Sequence, residues 1–582
     1  MDPTNRNTAL ASAMVEELAR CGVRQAAIAP GSRSTPLALA LLRAPAIETT
    51  SIVDERSAGY FALGAAQATG APTVVVCTSG TAAANLHPAI CEADEAGVPL
   101  LALTADRPPE LRGIGAGQTI DQLKLYGDTV RWFCEVGTHD ADDAGLLHFR
   151  SVACRAFAAA RGAPGPVHLN LSWREPLGPE PREGEVTAKS SLVLAGRGER
   201  PLHAVLSPTP PIDAPVLDEL SERIAAAPRG LIVAGRMPGH GAAGAIAALA
   251  RACGYPILAE PTSQLRLGAH DRELVVWAYG PIARARPPAL APELVIRFGD
   301  LPTCKPLREW LADLDDLRQI VIDPSGSWNE PSRRAEVILR SDPASAADAL
   351  AGRLGEAGDD DWAPAWLTAA AAVGGALEGE LGALDEVSEP AAHAALGRLY
   401  SDGDLVYTNS SMPIREQEAF VASAPAEVRF LCNRGANGID GLISSGIGAA
   451  NASGRPTWIV TGDLGLYHDM NGLAILRDVD VPIRIVVLNN DGGGIFEFLP
   501  QAEQVTREEF EVLFGTPLGL DLERVAGLYG LAYERAESLG SLARATGSGP
   551  VLVEVPVDRT RNVELHRRLA AAAERAIEAA VR

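Results

Sequence analysis

The stretch Thr457–Pro500, TWIVTGDLGLYHDMNGLAILRDVDVPIRIVVLNNDGGGIFEFLP, constrains the fold more tightly than any other part of the 582-residue chain. An apolar run ends in Gly462-Asp463, a segment with Leu466, Met470 and Leu473 at helical spacing follows, and a second apolar run, IRIVVLNN, closes on glycines. This pattern predicts a strand, a helix and a second, parallel strand, with polar groups at both strand ends. In an open parallel sheet, ligands sit beyond the carboxyl ends of the strands, so Asp463 and Asn490 are expected on one rim.

A carboxylate, an amide oxygen and backbone carbonyls freed by glycine form a hard-oxygen set suited to magnesium, which is commonly shared between a few protein oxygens and a ligand's phosphates. The glycines at 492–494 let the backbone approach such a phosphate closely. The expected ligand is a magnesium-bound diphosphate. On these residues the stretch resembles the diphosphate motif of thiamine-diphosphate-dependent enzymes. The continuation NNDGGGIFEFLP is similar to that of the 2-succinyl-5-enolpyruvyl-6-hydroxy-3-cyclohexene-1-carboxylate synthase family. The resemblance implies Asp463, Asn490 and Gly492 as ligands of magnesium or manganese. It also implies Gly462, Leu464 and Gly493 as cofactor contacts, and Ile495, Phe496 and Leu499 as apolar walls around the thiazolium.

At 582 residues the chain has room for three or four domains of about 150 residues each. Its 47% hydrophobic and 21% charged residues can fill several cores. A net charge of −23 and a pI near 4.9 exclude nucleic acid and anionic membranes as partners, because either would repel the average surface. Anionic substrates must then be drawn by local clusters of cations. The eight cysteines show no CxxC pair and read as reduced core residues. MDPTNRNTALAS carries no basic-then-apolar signal, and no apolar run reaches the roughly 18 residues of a membrane span, so the cytosol is the expected location.

From Asn7 to about Trp173, helix-like ALASAMVEELARCG and PGSRSTPLALALL alternate with strand-like QAAIAP, PTVVVCTSG, VPLLALTADRP and GPVHLNLSW. Ser34 or Thr35 is the expected cap of the second helix, with Pro36 in its first turn. Residues 178–212 read as a linker rich in Pro, Gly and charge. In GLIVAGRMPGHGAAGAIAALARACGYPILAE the glycines at 235, 239 and 241 superficially resemble a dinucleotide fingerprint, but no acidic residue ends a second strand at the right place. They are expected to serve tight packing. SDPASAADALAGRLGEAGDDDWAP reads as a second weakly structured stretch, followed by strands in DLVYTNSS, VRFLCNRG and PVLVEVPVD. The final amphipathic helix, VELHRRLAAAAERAIEAAVR, is expected to pack on the body, having few bulky apolar residues to enter lipid.

The expected fold is therefore α/β, with three doubly wound parallel-sheet domains. By resemblance these are a pyrimidine-binding domain at 1–180, a central Rossmann-like domain at 200–350 and a diphosphate-binding domain at 365–582. The first and last are expected to be copies of one architecture.

Glu55, in SIVDERSAGYFALG, follows a short strand and begins a helix, where a carboxylate ordinarily caps or complements the dipole. The resemblance instead implies that it bonds N1′ of the aminopyrimidine, favouring the tautomer that activates thiazolium C2. PGSRSTP combines a helix start with an arginine, a natural carboxylate receptor. There Ser32 and Arg33 match substrate contacts of the family. Gly80, in TSGTAAANLHPA, reads as a strand-to-helix turn, which by the same resemblance is expected to lie close to a thiamine ring. TADRPPELRGIGAGQTIDQ supplies Arg107 and Gln118 for substrate carboxylates, and departs from the family at Gly117. Lys305, followed by Pro306 where some members are basic, matches a lysine reaching the active site. YTNSSMPIREQE contributes Ser411 and Arg415, with Ser410 a departure, and CNRGANGIDGLISSGIG contributes Arg434 and Ile439, the latter propping the cofactor into its bent form.

Arg33, Arg107, Lys305, Arg415 and Arg434 are expected to converge on one pocket, which suits substrates with several carboxylates. The resemblance implies decarboxylation of 2-oxoglutarate and transfer of its succinyl unit to isochorismate. It also implies a thiamine diphosphate that spans the first and last domains of two subunits in a homodimer or homotetramer. The nearest rival is another carboligase of the same cofactor, acting on pyruvate.

Overall fold

The computed structural model describes residues 1–581 apart from 207–210, 238, 327, 356–360, 385–386 and 546–548. Its described strands form three six-stranded sheets, all paired parallel. The first contains β1 (Gln25–Ile28), β2 (Glu48–Ser51), β3 (Thr73–Cys77), β4 (Leu100–Asp106), β5 (Trp132–Glu135) and β6 (Pro166–Ser172), in the order β2-β1-β3-β4-β6-β5. The second contains β7 (Gly230–Ala234), β8 (Ile257–Ala259), β9 (Val275–Val276), β10 (Leu294–Phe298), β11 (Arg318–Ile322) and β12 (Val337–Leu339), in the order β12-β11-β10-β7-β8-β9. The third contains β13 (Leu405–Thr408), β14 (Arg429–Leu431), β15 (Thr457–Gly462), β16 (Ile483–Asn489), β17 (Ala532–Arg535) and β18 (Val551–Pro556), in the order β14-β13-β15-β16-β18-β17.

The first and third orders are the same, and the second is that of a dinucleotide-binding sheet. Strands β3, β4 and β6 are buried along their whole length, which explains their unbroken apolar runs. No helix among the described residues is long and apolar enough to cross a membrane.

The chain divides into two compact units. One comprises Met1–Ser207, Asn433–Arg455 and Tyr467–Val481, and the other Pro208–Cys432, Pro456–Leu466 and Pro482–Arg582. In the first unit, helix Glu55–Thr69 packs against helix Leu442–Ser453. The approach is close enough that a methyl group at Gly64 would stand 1.9 Å from the Ser445 carbonyl oxygen, and one at Gly448 would stand 2.0 Å from that of Phe61. In the second unit the final helix, Arg559–Val581, lays Leu565, Leu569 and Ile577 against Trp366, Val373 and Leu377 of helix Trp362–Gly382, packing on the body as expected.

Several expectations need correction. The connection between β15 and β16 is not one helix: α-helix Asp463–His468 gives way at Asp469 to the 3-10 run Met470–Asp478. Asp469 is fully buried, accepting the Ser444 N–H at 2.7 Å and the hydroxyls of Ser444 at 3.0 Å and Ser57 at 3.3 Å. Burial pushes its carboxyl up to about 6, and the bonds that compensate hold the backbone out of helical geometry.

The expected linker is docked as far as it is described, with 207–210 outside the described residues. Val193 of the short helix Ser191–Ala195 is buried in the first core, and the Thr187 and Ala188 N–H groups donate to Ala141. In the second weak stretch, Asp342 caps a helix at Pro343–Ala351 that buries Ala346, Ala347 and Leu350. The Pro-Ala-Ser start is a capped first turn, not a linker; 356–360 lie outside the described residues.

The glycine cluster after β7 divides. Gly235 lies under the Asp300 carbonyl oxygen, which a methyl there would meet at 1.9 Å, while Gly239 and Gly241 face open space. The Gly235 N–H donates to Phe298, the Asp300 N–H to Arg236, and Arg236 Nε bonds Asp300 at 2.7 Å. The two strand ends flanking the switch point are thus tied to each other, in keeping with the packing role.

Replacing Gly64 with Ala tests the close helix contact. Alanine gains up to about 1 kcal/mol of helix propensity, but overpacking against main-chain atoms that cannot swing aside costs about 1–3 kcal/mol. Net destabilisation is expected, read as a lower urea midpoint; an unchanged or higher midpoint would contradict the contact.

Candidate active site

The first rim lies at the carboxyl ends of β1 to β4. Ser32 and Arg33 follow β1, Glu55 follows β2, Gly80 follows β3 and Arg107 follows β4. Arg33 is 9% exposed, donates to the Trp173 carbonyl at 2.8 Å and pairs with Glu175 at 3.2 Å, leaving its Nε without a partner. Burial, and then the nearby Arg107 guanidinium, lower its proton affinity. An anion beside Arg33 would offset both effects.

Arg107 bonds the Ser79 hydroxyl, and that hydroxyl and the Ser79 carbonyl bond the Gln118 carbonyl and side-chain amide, each at 3.1 Å. Gly80 makes this possible. Its φ of 85° suits glycine, its N–H donates to Gln122 at 2.9 Å, and a methyl there would press on Gln118 at 3.0 Å.

Glu55 opens its helix but does not cap it. Asp54 accepts the Arg56 N–H at 2.9 Å and the Ser57 N–H at 3.4 Å, leaving the half-buried Glu55 carboxylate with Asn85 Nδ2 at 3.3 Å. The capping role belongs to the neighbour, so Glu55 is available for a ligand. Arg434 and Ile439 are in the stretch Asn433–Arg455, which clusters with this same unit. The buried carboxylate of Glu92 accepts the Gly435 and Ala436 N–H groups at 2.8 and 2.7 Å, and Tyr60 bonds Asp440, which fixes their loop.

The second rim is that of the third sheet. Gly462 is in register with Leu488 across β15 and β16, so Asp463 and Asn490 leave the sheet side by side. Asp463 is 2% exposed, and burial pushes its carboxyl up to about 6 despite N–H bonds from its own backbone, Gly492 and Asn490. Asn490 Nδ2 donates to Glu389 at 2.8 Å, while its Oδ1 is buried without a partner. Gly492, at φ 143°, runs so near the Gly515 carbonyl that a methyl would lie 2.1 Å from it. A desolvated carboxylate, an orphaned amide oxygen and a bare backbone fit a divalent cation carrying a diphosphate. Leu464 and Gly462 flank Asp463, Gly493 and Ile495 continue the glycine turn, Phe496 stacks 5.6 Å from Phe514, and Leu499 is exposed.

Ser411 sits on this rim after β13, at φ 75° and ψ −134°, a conformation essentially reserved for glycine that costs a serine about 1–3 kcal/mol. Its carbonyl accepts from the exposed Arg415 at 2.5 Å. Lys305 begins helix Lys305–Asp313, exposed and paired with Glu309 at 3.4 Å, a contact worth little.

Residues behind Asn490 escaped the sequence reading. Glu389 is 1% exposed, pushed up to about 8 by burial and then by Glu416; Glu416 in turn bonds His566 Nε2 at 2.7 Å. Locally each is an unremarked acid or base of a helix, so the sequence carried no signal of their meeting.

Two stretches of the chain match families of known proteins. The family described as thiamine pyrophosphate enzyme, N-terminal TPP binding domain, matches residues 8–125, and its C-terminal TPP binding domain matches residues 422–555. With the paired sheets, this makes the chain a thiamine-diphosphate-dependent enzyme. It is 44% identical to the 2-succinyl-5-enolpyruvyl-6-hydroxy-3-cyclohexene-1-carboxylate synthase of Myxococcus xanthus over 97% of both chains. Identity to those of Geobacillus kaustophilus and Halobacterium salinarum is 41% over 96% of both chains, and 42% over 98% of this chain and 99% of the relative. The chain belongs to this synthase family.

Two outcomes are expected. Ser411→Gly relieves backbone strain and raises stability by about 1 kcal/mol, whereas Ser411→Ala does not, as urea midpoints will show. Burial works to lower the His566 pKa, but Glu416 outweighs it and the net shift is upward. The stability this supplies is present below about pH 6.5 and lost as pH rises through the raised folded value. His566→Gln should therefore cost more stability at about pH 6 than at about pH 9.

Proposed function

We propose that the chain decarboxylates 2-oxoglutarate and adds the succinyl unit to isochorismate, releasing carbon dioxide, as the synthase of menaquinone biosynthesis. The observation that supports this reading is that Arg33 and Arg107 both follow strands of the rim that also bears Glu55, in a protein of net charge −23. A decarboxylase for a simple 2-oxo acid does not need two cations there. Substrates with several carboxylates do.

Asp463, Asn490 and the Gly492 carbonyl hold Mg2+ or Mn2+, and Gly462, Leu464, Gly493 and Ser411 line the diphosphate. Ile439, Ile495, Phe496 and Leu499 supply apolar surface that keeps water from the reacting atoms. When bound, thiamine diphosphate supplies the electron sink for the pair released as carbon dioxide leaves. Glu55 holds a proton at the pyrimidine N1′ position, and Gly80 lets the backbone lie close beside it. Ser32, Arg33, Arg107, Gln118, Lys305, Arg415 and Arg434 orient the substrate carboxylates, through charge that a water-poor site strengthens. The active form is a cytoplasmic homodimer or homotetramer.

Carbon dioxide release should be faster from 2-oxoglutarate than from pyruvate and should rise on adding isochorismate; preference for pyruvate would overturn the substrate assignment. Glu55→Gln should lower turnover at least about 100-fold, as loss of a positioned proton-transfer group does.

A further inference from the structure

An asparagine side chain has two ends of nearly equal size, and only one of them can ligate a cation. The oxygen binds a divalent ion, while the amino group turned the same way opposes it. Which end faces the metal position is therefore decided by what the other end meets. At Asn490 the other end meets Glu389: Nδ2 donates to Oε1 at 2.8 Å, and Oδ1 is left buried and unpartnered.

Glu389 is well placed to enforce that choice. It lies at the first turn of helix Glu389–Leu399, fixed between the cap Ser388, which accepts the Ala391 N–H at 3.3 Å, and Pro390. It is 1% exposed. Asn490 is confined as well, since a methyl at Gly494 would press on its Nδ2 at 2.6 Å. Among the described residues no Lys or Arg pairs with Glu389; the charge of Glu416 raises its proton affinity and that of His566 lowers it. Burying an acid this fully costs the fold, and its side chain accepts a hydrogen bond from Asn490.

We infer that Glu389 is a positioning residue, which holds the Asn490 amide with Oδ1 turned to the divalent metal. The inference rests on the metal-site reading given above. Outer partners of this kind typically account for a 10–100-fold change in metal affinity.

Mg2+ can be titrated calorimetrically into the full-length, metal-free enzyme with thiamine diphosphate present, comparing the parent with E389L, E389Q, E389D and N490A. E389L removes the acceptor, and Mg2+ should bind about 10–100-fold more weakly, with KM for 2-oxoglutarate at saturating Mg2+ unchanged. E389Q keeps an oxygen for Nδ2 and can turn its own amino group to Glu416, so it should stay within about threefold of the parent, far inside the loss expected without an outer partner. If E389L fails to fold, E389D serves in its place, because the shortened side chain withdraws the acceptor. Parental Mg2+ affinity in E389L or E389D alongside weak binding in N490A would overturn the inference alone. So would E389Q binding as weakly as E389L. Parental affinity in N490A would instead overturn the metal-site reading beneath it.

Discussion

A carboxylate kept from water at the end of a strand is the constraint from which the rest of the site follows. Asp463 is 2% exposed, and its hydrogen bonds from backbone N–H groups do not offset its desolvation, since its carboxyl stays pushed up to about 6. Such a group is stabilised by a neighbouring cation, and its surroundings fit one. The register of β15 and β16 brings Asn490 beside it, the backbone at Gly492 carries no side chain, and Ser411 is held in a glycine-like conformation on the same rim. These features oppose local stability, and together they make sense as a hard-oxygen cradle.

The first rim solves a different problem. The protein is strongly acidic, so an anionic substrate is repelled by the average surface and must be met by local cations. Burial, and then the charge of Arg107, lower the proton affinity of Arg33. Arg33 leans on a main-chain carbonyl and Glu175, and Arg107 on a hydroxyl, so neither charge is fully cancelled.

Much of this could be read in the sequence, and the exceptions have physical reasons. Fully buried parallel strands such as β3, β4 and β6 announce themselves as apolar runs. The edge strands Trp132–Glu135 and Ala532–Arg535 are half-buried or partly exposed, carry no such run, and passed unread. Asp463, Asn490 and Gly492 were legible because they share one βαβ unit. Glu389 and His566 were not, because they meet partners 101 and 150 residues away, and no local pattern encodes a meeting at that separation. The expected linker misled through composition: proline, glycine and charge also suit a strap that lies on a surface, and 178–206 is one.

The attachment of 433–455 and 467–481 to the first unit has a practical consequence. A fragment truncated after the first sheet would leave helix Glu55–Thr69 without the chain that covers Gly64, and would leave Asp469's partners Ser57 and Ser444 parted. The polypeptide therefore cannot be cut into a leading half and a trailing half that each mature alone. As the ribosome extends the chain from its amino end, the leading segment has to wait, incompletely covered, for residues made about 260 positions after its last strand, which ends at Ser172, since the covering chain begins at Asn433.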